Sequence, residues 1–161
     1  MKETPAEEID CGNICDEALM NLQLAVKKSN AQVVRDALPR IKCNKVQLLH
    51  LFQNLIGNAI KYSRKEEAPR IEISAQAKDQ AWIFSVKDNG IGIEEEYYDR
   101  IFEVFRRLHG RNEYPGTGIG LAICKKIVER NGGKIWVNSA VGQGSTFYFS
   151  IPEKREHEYE S

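Results

Sequence analysis

The sequence predicts a two-layer α/β sandwich, a mostly antiparallel, mixed sheet packed on helices. Two stretches alternate strongly between apolar and polar residues and are joined by short polar links, as β-hairpins are. Between and before them lie segments whose apolar residues recur at helical spacing. At 161 residues, 42% hydrophobic and 29% charged, the chain is long enough for one domain with a real core. Residues 11–152 are expected to form that domain, with 1–10 a polar linker remnant and 153–161 a polar tail, both frayed.

The elements follow in order. "CGNICDEALMNLQLAVKKSN" places Ile14, Ala18, Leu19, Leu22 and Val26 at helical intervals and closes on Lys27, Lys28 and Asn30, a C-terminal signal. "AQVVRDALPRIKC" is short, partly β-branched and interrupted by Pro39, which suits two edge strands. Asn44 can cap a long helix over about 45–63, with Leu48, Leu49, Phe52, Leu55, Ile56, Ala59 and Ile60 on its apolar side. "RIEISAQA" and "WIFSVKDN" read as a hairpin, "EEEYYDRIFEVF" as a helix. A further helix starts near Gly118 and ends at "RNGG", where Asn131 and Gly132 offer a left-handed cap. "KIWVNSA" and "STFYFSIP", linked by "VGQG", form the last hairpin.

Charge and composition exclude several function classes. The 23 basic residues balance the 23 acidic ones and are interspersed with them, so neither a nucleic-acid footprint nor direct membrane contact is expected. The chain has no apolar run of membrane-span length and no secretory leader, and is expected in the cytoplasm, although a longer protein containing it could be anchored elsewhere. Cys11, Cys15, Cys43 and Cys124 are too scattered for a disulfide framework and read as reduced, core-facing thiols.

Three stretches carry chemistry. In "LFQNLIGNAIKYS", Asn58 lies about 40° and Lys61 about 20° around the helix from Asn54, with Gly57 on the same stripe and the apolar residues opposite. Such a stripe is either a solvated face or a ligand face; a glycine there, at a helix cost of about 1 kcal/mol, would leave room for something. "DNGIGI" is either a plain turn or a carboxylate, Asp88, at a strand end beside Gly90 and Gly92, a pocket floor that backbone lets a flat ligand approach. "GTGIGLAICKK" opens a helix with glycines, which suits an anion, but its spacing fits neither the dinucleotide loop nor the mononucleotide P-loop.

Taken together, "NLIGNAIKY", "DNGIGI", "IFEVFRRL" and "GTGIGLAI" resemble the ordered boxes of the catalytic ATP-binding domain of sensor histidine kinases. That domain belongs to the gyrase, chaperone, histidine-kinase and mismatch-repair (GHKL) superfamily of ATPases. The resemblance covers residues 11–152, and the wording after the phenylalanine box is similar to kinases with PAS or phytochrome-type sensors.

The resemblance implies ATP and Mg²⁺ as cofactors. Asp88 would accept from the adenine 6-amino group, and Gly90 and Gly92 would admit the base. Asn54 and Asn58 would place amide oxygens on or near Mg²⁺. Lys61 would neutralise phosphate, and Tyr62 would pack against the nucleotide. Phe102 and Phe105 would anchor a lid over about 108–115, and Arg107, with Arg106 as the competing choice, would contact phosphate. Gly116, Gly118 and Gly120, with Thr117 and Leu121 beside them, would hold the triphosphate.

ATP-hydrolysing relatives carry a glutamate where this chain has Asn54, so no water-activating base is expected there. Nothing around His50, His109 or His157 matches the family's phosphoacceptor motif. The implied partners are therefore a histidine-bearing dimerisation domain of the same kinase and the receiver domain of a response regulator. Two rivals are an anti-sigma-type serine kinase, against which Asn54 speaks, and a non-enzymatic docking module, against which Asn58, Lys61 and Asp88 speak.

Overall fold

The computed structural model describes residues 7–103 and 120–153. Its elements run β1 (Glu7–Asp10), α1 (Cys11–Asn21), α2 (Gln23–Ser29), β2 (Gln32–Arg35), β3 (Arg40–Cys43), α3 (Lys45–Lys61), β4 (Arg70–Lys78), β5 (Ala81–Asp88), α4 (Gly120–Arg130), β6 (Ile135–Ala140) and β7 (Gly144–Pro152). One layer is a five-stranded sheet in the order β2-β4-β5-β7-β6, antiparallel throughout except for the parallel β2–β4 pair. Helices cover one face, as expected for a two-layer sandwich.

The hairpins form for local reasons. Asp79 and Gln80 both have positive φ, and this left-handed pair turns the chain between Lys78 and its partner Ala81. Alternation then sends Ile71, Ile73, Phe84, Val86, Phe147 and Phe149 to the helical side, where all are buried. Phe84 and Phe149 are cross-strand partners with rings stacked 4.8 Å apart. Phe52 of α3 meets them edge-on at 6.2 and 6.0 Å, so α3 is seated in the middle of the sheet.

Helix ends obey the sequence signals. Asn44 caps α3 by accepting from Gln47 N at 3.0 Å. Asn30 is left-handed at the end of α2, and Gly132 takes the left-handed position after α4. Asn131, 8% exposed, donates to Ile127 O and to Gln47 of α3, which ties the end of α4 to the start of α3.

Four expectations need correction. Glu7–Asp10, read as part of a frayed end, form β1 against β3, because Ile9 is buried there opposite Ile41. β3 accordingly leaves the main sheet, and of the two expected edge strands β2 alone lies at an edge of it, with β6 at the other. The segment read as one helix over "EEEYYDRIFEVF" is two 3₁₀ turns, Glu95–Tyr97 and Arg100–Phe102, in its described part. Tyr98 is held by Ser139 on β6 while Ile101 and Phe102 must reach the core, and one straight helix does not serve both anchors.

The first helix also breaks, at Leu22, whose N–H is shared between Ala18 O and Leu19 O. This bend sets Leu22 beside Gly57 of α3. A Cβ built on Gly57 would meet nothing nearer than Leu22 Cδ2 at 4.0 Å, an ordinary van der Waals contact. The room at Gly57 is thus bounded by the protein's own side chain, and alanine fits. Gly57→Ala should raise stability by about 0.5–1 kcal/mol in urea titration through helix propensity. Affinity for ATP, the ligand that the sequence resemblance implies, should stay within about twofold of the parent value when measured alongside; a larger loss would mean that the glycine makes room for a ligand.

Candidate functional site

The candidate site lies where the C-terminal half of α3, the end of β5 and the start of α4 converge. On α3, Asn54 donates from Nδ2 to His50 O at 2.9 Å, which leaves its amide oxygen as an acceptor. That oxygen lies against Gly120, where an added Cβ would come within 2.8 Å of it. A side chain on the first residue of α4 would thus displace the Asn54 amide from its present position. Half-buried Asn58 and exposed Lys61 have no side-chain partner among the described residues.

Asp88 ends β5. It shares strand parity with Phe84 and Val86, so alternation points its carboxylate toward the helical layer. Oδ1 accepts from two backbone N–H groups, Gly90 N at 2.8 Å and Ser145 N at 3.2 Å. Oδ2 has no partner among the described residues. Desolvation by burial raises the carboxyl pKa above the usual aspartate value, and the two N–H groups partly offset it.

The two glycines of "DNGIGI" fit because neighbouring backbone is close. A Cβ on Gly90 would lie 2.5 Å from Tyr62 O, and Gly92, at φ +78°, would put one into Ala140 O. Tyr62 O accepts instead from Ile91 N at 3.0 Å, which couples the end of α3 to this loop. Leu121, proposed from sequence as a nucleotide contact, is half-buried and packs against the hydrophobic core. Phe102 is buried with its ring edge-on to Phe147 at 6.2 Å. Phe105, Arg106, Arg107, Gly116, Thr117, Gly118, His109, His157 and the expected lid lie outside the described residues.

Sequence reasoning missed several residues that hold this corner. Arg64 donates from Nε to Asn89 O at 3.1 Å and from Nη1 to Gly142 O at 3.0 Å, and pairs with Glu67. Asn89 accepts from Arg70 N and donates to Ala68 O. Ser139 Oγ accepts from Ile93 N and donates to Gly144 O. Gly142 and Gly144 in "VGQG" were the available hint: both take positive φ, and a Cβ on Gly144 would run into Asp88 O. Among the described residues no group of three or more His, Cys, Asp or Glu could hold a metal, and no helix is long and apolar enough to cross a membrane.

Comparison with known proteins agrees with this architecture. Residues 43–155 match the model of the histidine kinase-, DNA gyrase B-, and HSP90-like ATPase family. The chain is similar to cyanobacterial phytochrome A of Nostoc sp. (strain PCC 7120), with 55% identity over 137 residues, 85% of this chain and 18% of the relative. It therefore spans about a fifth of that relative's length. Its fold is similar to full-length ShkA in complex with AMPPNP (TM-score 0.80, 26% identity, covering 94% of this chain and 32% of that one). It is also similar to the histidine kinase ThkA in complex with the response regulator protein TrrA (TM-score 0.75, 25% identity, covering 92% and 42%). With the family's model matched over most of this chain, a cyanobacterial phytochrome as a relative and the histidine kinase ThkA sharing its fold, the chain belongs to the histidine kinase-, DNA gyrase B-, and HSP90-like ATPase family, as a histidine-kinase catalytic domain.

Proposed function

We propose that this chain binds Mg-ATP and transfers the γ-phosphate to a histidine on a separate dimerisation domain, the phosphoryl group passing from there to the receiver domain of a response regulator. The observation that carries the reading is Asp88. One carboxylate oxygen is held by two backbone N–H groups, while the other has no partner among the described residues, beside a loop whose glycines let Tyr62 O and Ala140 O come close.

The chain's own residues have distinct tasks on this reading. Asp88 accepts from the 6-amino group of adenine and rejects guanine, whose oxygen there would face a carboxylate with no proton between them. Lys61 neutralises phosphate charge. The amide oxygens of Asn54 and Asn58 suit a hard cation that takes its other ligands from water and the triphosphate, and neither oxygen has a partner among the described residues. Mg²⁺, when bound, adds charge neutralisation for phosphoryl transfer. Arg107, Gly116, Thr117, Gly118 and Gly120 are proposed to hold the triphosphate.

His50 is exposed on α3 and lies in no acceptor motif, so the isolated chain should not label itself. Given a histidine-bearing dimerisation domain from a related kinase and Mg-ATP, it should transfer acid-labile, base-stable phosphate to that domain. The rate should be well below that of a tethered kinase, because effective concentration is lost. Strong label on this chain alone would overturn the assignment of the acceptor.

Asp88 offers a sharper test. Its folded pKa is raised, so the native state holds a proton more firmly than the unfolded chain does. The stability this contributes is full below the ordinary aspartate pKa and is lost as pH rises through the folded value. At pH 7 the ionised carboxylate therefore costs stability. Asp88→Asn keeps an acceptor for Gly90 and Ser145 but removes the charge, and its melting temperature at pH 7 should equal or exceed the parent's. Its ATP affinity by calorimetry should fall roughly tenfold to a hundredfold, the worth of a charge-assisted hydrogen bond. Undiminished ATP binding would remove Asp88 from the adenine site.

A further inference from the structure

Three separate segments meet around Asp88, and its geometry depends on their staying in register. One N–H that holds Oδ1 comes from Gly90, in the loop after β5; the other comes from Ser145, just past the β6–β7 turn. Any slip between these segments moves one donor away from the other and turns the carboxylate. Two direct backbone links oppose such a slip, Gly142 N to Ile91 O at 2.7 Å and Ile91 N to Tyr62 O at 3.0 Å.

Arg64 joins the same three segments with one side chain. It follows α3 by three residues, and its fork reaches Asn89 O, the carbonyl between Asp88 and Gly90, and Gly142 O, in the turn before Ser145. The third contact, the ion pair with Glu67, anchors the guanidinium within its own loop. The Arg64 side chain is 27% exposed, so its hydrogen bonds are partly shielded from water. Its fork geometry is rigid: two acceptors on different segments are held at a fixed separation, which a point charge on a flexible stem cannot do.

We propose that Arg64 is a positioning residue for base selection: by clamping Asn89 O and Gly142 O together it fixes the two N–H groups that orient the Asp88 carboxylate toward the purine 6-position. The inference rests on the adenine reading of Asp88 and adds a determinant outside the expected nucleotide contacts. Arg64 touches neither Asp88 nor, on this reading, the base. Its effect should therefore appear in discrimination between bases more than in affinity for the triphosphate.

The test is a ratio. Calorimetry on the full 161-residue chain with Mg²⁺ gives the Kd of ATP and of the purine riboside triphosphate that lacks the 6-amino group. In the parent the ratio should be roughly tenfold to a hundredfold in favour of ATP. Arg64→Lys keeps the charge and the pairing with Glu67 but loses the fork, and the ratio should fall by about threefold or more. Glu67→Gln, which leaves both carbonyl contacts in place, should retain the parent ratio.

The outcomes separate two failures. A parent ratio near one would remove the adenine reading of Asp88 and this inference with it. A parent that discriminates, beside an R64K variant that melts earlier yet keeps the same ratio, would make Arg64 a structural residue only and overturn the inference alone. Should R64K be too unstable to assay, the parent decides: its Arg64 Nε–H resonance should shift more with ATP than with the 6-unsubstituted analogue. Equal shifts would overturn the proposal.

Discussion

The seating of Phe52 on the sheet governs everything described at the site. Its ring is enclosed by Phe84 and Phe149, which stack on adjacent strands, and it is fully buried. A helix has a single rotation about its axis, so once Phe52 faces the sheet the other positions follow. Asn54, Asn58 and Lys61 lie about 160°, 120° and 180° around from it. The same aromatic contact sets β5: Phe84 points inward, and alternation makes Asp88, four residues later, point inward too. One hydrophobic cluster thus fixes both a polar stripe and a half-buried carboxylate, which is why core packing and the placing of these polar groups cannot be varied independently here.

A carboxylate on the core side of a strand is a poor choice for stability, and its surroundings show how the cost is limited. Two N–H groups satisfy one oxygen, and the glycines that supply or border them leave no side chain to crowd it. The second oxygen has no partner among the described residues. Around it the chain adds links that hold segments rather than the carboxylate: Ser139 with Ile93 and Gly144 on one side, Asn89 with Ala68 and Arg70 on the other. The cost of a half-buried carboxylate thus falls in a corner that several hydrogen bonds hold in place, which accords with the proposed binding role of Asp88.

What could be read from sequence was what is decided locally. The α3 cap, the apolar face of α3, the β4–β5 turn and the glycine stop after α4 all depend on residues a few positions apart, and each formed where expected. β1 was missed because two of its four residues are glutamates and only Ile9 is a core residue, which gives no strand-like alternation in so short a run. The helix over "EEEYYDRIFEVF" was over-read because its spacing is helical, while the anchors that divide it, Tyr98 on Ser139 and Phe102 on Phe147, are tertiary. At the site, Asp88, Asn54, Asn58 and Lys61 were legible as types and spacings. Arg64 was not, because its partners are backbone carbonyls 25 and 78 residues away, which have no side-chain identity to recognise.

The chemistry of α3 bears on the proposed transfer of phosphate to a histidine rather than to water. From Lys45 to Lys61 the helix carries no aspartate or glutamate, and the residue one turn before Asn58 is a neutral amide whose N–H₂ is turned back onto its own helix at His50 O. What Asn54 presents outward is an oxygen that accepts hydrogen bonds but has negligible basicity. The carboxylate that is present, Asp88, is oriented by two backbone N–H groups and sits at the end of β5, where the proposed role is to read the base. Phosphoryl transfer depends chiefly on positioning and charge neutralisation, and a neutral imidazole is already nucleophilic near pH 7. A site with amide oxygens and an ammonium on its helix, and no base among them, therefore suits an acceptor that arrives with its own lone pair better than it suits water, which has to be deprotonated first.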